Sequence, residues 1–143
     1  MDRTKTYPNI KEDFNPKDCI SGKVMRCNRI IANVFRQYLA PFNITDSQLS
    51  MLFVLSKVKT CNQKTISDIL FLEKSTVHRN INRLVQTNIV TVLGTKELEL
   101  TDNGWQLLND IMPAWEKAME EIKETIGSDG VNALNVLTSK LEH

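Results

Sequence analysis

The apolar side chains of this chain change period within a short stretch, and that change limits the folds open to it. From Lys17 to Asn88 they recur every three to four positions, the spacing of one helix face. From Ile89 to Leu100 they recur at every second position, and beyond Thr101 the helical spacing returns. The alternating stretch divides into Ile89-Val90-Thr91-Val92 and Glu97-Leu98-Glu99-Leu100, joined by Leu93-Gly94-Thr95-Lys96. That pattern predicts one small β-hairpin with glycine at its turn. A single hairpin among helices excludes sandwiches, barrels and doubly wound sheets, which need many strands. With 143 residues, 41% of them apolar, the chain suits one domain with a real core.

Residues 1–16 hold Pro8 and Pro16 without periodicity and read as a loose arm. Ile20, Val24, Cys27, Ile31, Val34 and Tyr38 then follow at steps of four and three, predicting a long amphipathic helix over 17–40, closed by Pro41. So long a stripe cannot easily be hidden inside a small domain, which points to a partner subunit. Thr45-Asp46-Ser47-Gln48 is a capping box opening a helix that buries Leu49, Leu52, Phe53 and Val58. A turn at Thr60 to Asn62 leads to a short helix with Ile66, Ile69 and Leu70 inward. Phe71-Leu72-Glu73 links it to a further helix from near Ser75 to about Thr87. Two short helices joined so tightly are the outline of a helix-turn-helix. After the hairpin, Thr101-Asp102 caps a long helix carrying Leu108, Ile111, Trp115, Ala118 or Met119, Ile122 and Ile126. Pro113 is expected to kink that helix and Gly127 to stop it, before a last helix with Val131, Leu134, Leu137 and Leu141.

The second helix of the pair carries the chemistry. Val77, Ile81, Leu84 and Val85 take one face. At about 100° per residue the opposite face collects Ser75, Arg79, Asn82, Arg83 and Gln86, with Thr76 and His78 on its flanks. These residue types read duplex DNA: Arg forks to guanine, Asn and Gln to adenine, Ser and Thr to either. An ordinary solvated face mixes acids with bases, yet no acid stands between Lys74 and Gln86.

The net charge of +1 hides a segregation. Between residues 57 and 83, Lys57, Lys59, Lys64, Lys74, Arg79 and Arg83 face only Asp68 and Glu73. From Glu97 onward, ten acids face three lysines. Near-neutrality is therefore no argument against a polyanionic partner.

Other chemistry finds little support. Ser56-Lys57-Val58-Lys59 fits Ser-x-x-Lys without the companion motifs of penicillin-interacting enzymes. Asn43-Ile44-Thr45 is a glycosylation sequon without a secretory signal before it. Cys19, Cys27 and Cys61 form neither a disulfide framework nor, with His78 and His143, a metal site. Cys27 lies on the apolar seam, where burial is the default. Cys19 lies between Lys17 and Lys23, which favour thiolate, but next to Asp18. Leu141-Glu142-His143 has the form of a vector-derived tail, and His143 is given no function. No run approaches the roughly 20 apolar residues of a membrane span, so a cytoplasmic protein with reduced thiols, no cofactor and no metal is expected. No catalytic constellation is present, and the chain reads as a non-enzyme.

The stretch from Ile44 to Gly104 resembles the MarR family of winged helix-turn-helix transcription regulators. The resemblance rests on Thr45-Asp46-Ser47-Gln48-Leu49, Ile66-Ser67-Asp68-Ile69-Leu70, Lys74-Ser75-Thr76-Val77-His78-Arg79, Arg83-Leu84 and Leu100-Thr101-Asp102-Asn103-Gly104. It implies an all-α domain over 1–143 with a small β-wing: a winged helix-turn-helix DNA-binding region at 45–101, flanked by dimerisation helices at 17–40 and 103–141. It also implies a homodimer on a pseudo-palindromic double-stranded DNA operator, commonly a repressor released by a small, often phenolic, ligand. Ser75, Thr76, His78 and Arg79 then match the start of the recognition helix, with Lys74 before them and Asn82 and Arg83 after. Some relatives sense oxidants through a cysteine near the start of the first helix, where Cys19 lies. The wing departs from the family pattern: it is short, and Lys96 is its only base beside Glu97 and Glu99. A winged-helix module that binds protein rather than DNA is the alternative this departure leaves open. An effector crevice between the first helix, the capping-box helix and the helix from Asn103 would draw on Phe35, Tyr38, Phe42 and Met51, with Trp105 and Trp115 further off.

Overall fold

Five helices and one antiparallel hairpin organise residues 8–142, the part of the chain that the computed structural model describes. Helix α1 spans Ile20–Leu39, α2 Asp46–Val58, α3 Gln63–Leu70, α4 Lys74–Gln86 and α5 Asp102–Leu141, with strands β1 at Val90–Leu93 and β2 at Glu97–Leu100 between α4 and α5. The fold class is as the periodicity predicts. Of the predicted loose arm, residues 8–15 form turns and bends before a short 3-10 turn at Pro16–Asp18. Residues 1–7 and His143 lie outside the described residues.

The core lies where α2, α3 and α4 meet the hairpin and the first half of α5. Leu39, Met51, Leu52, Leu55, Ile66, Val77, Ile81, Leu98 and Ile111 are all buried there. Each such side chain contributes roughly 1.5–3 kcal/mol through the apolar area it removes from water. Phe53 and Trp115 extend this core edge to face, with ring centroids 5.8 Å apart. Val58, Ile69 and Val85 do not join it, contrary to their periodicity. Val58 is the last residue of α2, and Ile69 and Val85 lie near the ends of their helices, where no neighbouring element covers them.

Helix α1 is divided along its stripe. Ile31, Val34 and Tyr38 are half-buried, and the Tyr38 hydroxyl donates to Glu121 Oε1 of α5 at 3.3 Å. Desolvation and then the Glu121 carboxylate hold that phenol above its ordinary pKa. Ile20, Val24 and Cys27 are exposed, so the buried thiol expected at Cys27 is not found within this one chain.

In α5 the expected stop at Gly127 is found, and the dihedral departure expected at Pro113 is not. The backbone keeps helical dihedral angles through Pro113 and leaves them at Gly127, with φ 72° and ψ 177°. That combination is essentially confined to glycine. Pro113 is exposed, so the carbonyl that loses its helical N–H partner there can turn to water. The segment beyond Gly127 carries Leu134, Val136, Leu137 and Leu141 on exposed positions.

The hairpin is fixed at two places. Its strands pair Val90 with Leu100 and Leu93 with Glu97, leaving Gly94-Thr95-Lys96 as the turn, with Gly94 at φ 59°. Opposite β1, the Cys61 N–H donates to the Leu98 carbonyl at 3.2 Å and the Leu98 N–H to the Cys61 carbonyl at 2.8 Å. This bridge ties the hairpin to the α2–α3 turn. Burial, with Glu97 second, pushes the Cys61 thiol pKa up, which keeps it protonated and unreactive. At the other end, Thr101 Oγ1 accepts from the Gly104 N–H at 3.0 Å and donates to the Asn88 carbonyl at 2.6 Å. The same threonine thus caps α5 and closes the base of the hairpin.

Candidate nucleic-acid interface

The link between α3 and α4 is set by local chemistry. Asn62 caps α3 by accepting from the Thr65 N–H at 2.9 Å. At the other end Phe71 takes a left-handed conformation, φ 54°, and the buried Ser67 donates from Oγ to the Leu72 carbonyl at 2.6 Å. The chain therefore turns within Phe71, Leu72 and Glu73 and starts α4 at Lys74. Burying Val77, Ile81 and Leu84 settles the roll of α4.

With that roll fixed, Lys74, Ser75, His78, Arg79, Asn82, Arg83 and Gln86 are exposed on α4, while Thr76 is half-buried at the edge of the face. The first turn has no acid and no side-chain cap, so its backbone N–H groups are free for an anion. A second restraint comes from α2. Gln48, only 4% exposed, completes the capping box by accepting from the Thr45 N–H at 3.1 Å. Its Nε2 also donates to Asn80 Oδ1 at 3.3 Å, and Asn80 Nδ2 donates to the Thr76 carbonyl at 2.9 Å. The cap of one helix thus holds the next. Nothing in the local pattern marks Asn80 for this role, because its partner is 32 residues away.

Lys96 is exposed at the wing turn, not on the α4 face. With Thr95 it lines a depression of about 360 Å³ shared with Asn62, Gln63 and Lys64 at the start of α3. Lys64 pairs with Asp68 at 2.7 Å, an exposed contact of little energetic weight. Glu97 is exposed and Glu99 half-buried, so the wing stays acidic behind its single lysine.

A cleft of about 580 Å³ opens behind this surface, bounded by Arg36, Leu39, Phe42, Ile44, Arg83 and Leu107 among others. Of the residues expected around a crevice, Phe42 lines this one. Met51 is core, Phe35 borders a smaller hollow beside Trp115, and Trp105 and Trp115 line a separate one with Phe53. The periodicity gave no hint that Arg36 of α1 and Arg83 of α4 line one cleft; the Arg36 guanidinium donates to Asn33 Oδ1 at 2.6 Å. Among the described residues no cluster of His, Cys, Asp or Glu could hold a metal, and no helix is long and apolar enough to cross a membrane.

A short helix pair joined by three residues, a polar outer face on its second helix and an adjoining hairpin define a winged helix-turn-helix protein. Residues 42–97, which run from just past the end of α1 through the helix pair to the start of β2, match the family model described as MarR family. No curated protein matches the chain. Among solved structures, BpsR of Bordetella bronchiseptica, studied for the regulation of its DNA binding by 6-hydroxynicotinic acid, is 18% identical with a TM-score of 0.82, over 90% of this chain and 96% of that one. A cysteine mutant of MarR from E. coli in complex with operator DNA is 18% identical with a TM-score of 0.81, over 93% and 100%. NadR in complex with 4-hydroxyphenylacetate is 22% identical with a TM-score of 0.75, over 85% and 93%. At such identities the likeness establishes the fold: this chain shares the fold of these three proteins over 85–93% of its length.

Proposed function

We propose that this protein is a homodimeric, sequence-specific double-stranded DNA-binding regulator of transcription in the cytoplasm, acting as a repressor that a small ligand releases. The carrying observation is the α4 face: four base- or phosphate-reading side chains, Ser75, Arg79, Asn82 and Arg83, exposed together with His78 on a helix without an acid. Lys74, Thr76 and the free N–H groups of the first turn supply backbone contacts that set register, and Arg79 and Asn82 supply base contacts. Lys96 reaches a flanking phosphate. A MarR relative of the same fold has been solved on operator DNA, which supports the same use here.

The second copy follows from the two apolar surfaces the chain leaves open. Ile20, Val24, Met25 and Ile30 on α1, and Leu134, Val136, Leu137 and Leu141 on α5, are all at least 40% exposed. Clusters of this kind at both ends of a chain mark an interface, and α1 already packs against α5. A two-fold dimer places two α4 helices one turn of DNA apart. Selection of duplexes from a random pool tests both features, the expected outcome being a pseudo-palindrome with half-sites about 10 base pairs apart.

The effector site is the cleft behind α4. Arg36 and Arg83 fit a carboxylate, and Phe42, Leu39 and Leu107 fit an aromatic ring. Arg83 belongs both to the cleft and to the DNA face, so an anion that holds its guanidinium inward withdraws it from phosphate. 4-Hydroxyphenylacetate, the ligand found in NadR, is the probe: it weakens duplex binding. Arg36→Ala abolishes that response while leaving ligand-free DNA affinity within about twofold, since Arg36 lies off the α4 face. An Arg36→Ala protein that responds as the wild type does contradicts this assignment.

A further inference from the structure

Across the helix-turn-helix, three side chains outside the buried core form one directed chain. Gln63, the first residue of α3, places Oε1 3.3 Å from His78 Nδ1 on α4. The other ring nitrogen, Nε2, lies 3.2 Å from Asn82 Nδ2, one turn further along. The polarity of this chain follows from the amide atoms that face the ring, Gln63 Oε1 on one side and Asn82 Nδ2 on the other. A carboxamide oxygen can only accept and a carboxamide nitrogen can only donate. The imidazole between them must donate from Nδ1 and accept at Nε2, which is the neutral Nδ1–H tautomer. In free histidine the Nε2–H form predominates, so the contact with Gln63 selects the minor form.

We infer that Gln63 is a positioning residue for base reading, acting through the His78 tautomer to set the orientation of the Asn82 carboxamide. One N–H of Asn82 is spent on His78. The second N–H and Oδ1 of this exposed side chain make no other hydrogen bond among the described residues, and this donor–acceptor pair is what the major-groove edge of adenine requires. A ring turned to the Nε2–H form would meet Asn82 with a donor, and the amide would have to flip or swing away. The fixed order of donor and acceptor makes adenine the base matched by Asn82. His78, engaged on both nitrogens, orients its neighbour and does not itself read a base edge.

This inference rests on α4 being the DNA-reading helix, but its first test needs no DNA. Nitrogen-15 chemical shifts of His78, taken at alkaline pH where imidazole is neutral and assigned by the signal missing from His78→Gln, report the tautomer. The wild type shows the Nδ1–H form and Gln63→Ala shifts to Nε2–H. Alanine is at home in a first helical turn, so the thermal midpoint of Gln63→Ala stays at that of the wild type. On the selected duplex, Gln63→Ala lowers the preference for adenine at one position of each half-site roughly fivefold, a part of what Asn82→Ala loses. Affinity for duplexes already altered at that position is unchanged. A wild-type Nε2–H tautomer overturns the inference, as does a Gln63→Ala protein with undiminished adenine preference. If the wild type binds no duplex at all, the functional reading falls and takes the base-reading role with it, while the tautomer stands or falls on its own spectrum.

Discussion

Arg79→Ala lowers affinity for the selected duplex by about thirtyfold and flattens base preference at one position of each half-site. Arg79 is exposed near the middle of the α4 face, a turn beyond Ser75 and beside His78 and Asn82. A guanidinium that forks to guanine is worth roughly 1–3 kcal/mol against the wrong base, and a dimer loses it twice. Lys96→Ala behaves differently. Its wing is a three-residue turn with Glu97 next to it and no second base, so only one phosphate contact per subunit is at stake. We expect a loss of about threefold, equal for every duplex sequence. Fluorescence anisotropy titrations at fixed salt check both. Equal losses from the two substitutions contradict a short wing that contributes little.

The largest effect on stability is expected at Gly104. Its Cα faces the main chain of Ile89, and a Cβ there would be driven into the Ile89 carbonyl oxygen and against Leu100 Cδ2. A side-chain tip can move aside, but this carbonyl is held by the Thr101 N–H and its Oγ1 at the hairpin base. Gly104→Ala therefore costs about 3 kcal/mol, the upper range for overpacking, and lowers the thermal midpoint by roughly 10 °C in a chain of this length. Gly94→Ala is the control. Gly94 has positive φ, but nothing lies within 4 Å of its missing Cβ, so only backbone strain of about 1 kcal/mol is added. Calorimetry that found the two variants equally destabilised would mean that α5 can move away from the hairpin freely.

Features written in contiguous residues were legible in the sequence. The capping box at Thr45–Gln48, the hairpin at 90–100 and the α4 face are each encoded within about a dozen positions, and the structure reproduces them. Features that depend on distant contacts were not. Gln48 reads as a cap, and its bond to Asn80 requires α2 and α4 to be packed already. Gln63 reads as an ordinary first-turn residue until His78 is brought beside it. Arg36 and Arg83 stand more than forty positions apart in the sequence, so their shared cleft has no local signature. Periodicity also overstated burial at helix ends: Ile69 and Val85 keep the apolar spacing beyond the point where a neighbour covers them. Gly127, expected to stop the long helix, is where the backbone leaves helical dihedral angles, whereas Pro113 keeps them.

The central claim, that the α4 face binds the phosphates and bases of duplex DNA, is tested most directly by the salt dependence of affinity for the selected duplex. A dimer presenting Lys74, Arg79, Arg83 and Lys96 twice should release several counterions. Its affinity should then fall by roughly a thousandfold or more between about 50 and 200 mM monovalent salt, linearly on logarithmic axes. A flat response, or no binding to any duplex at the lower salt, contradicts a DNA reader and leaves a winged-helix module that docks on protein.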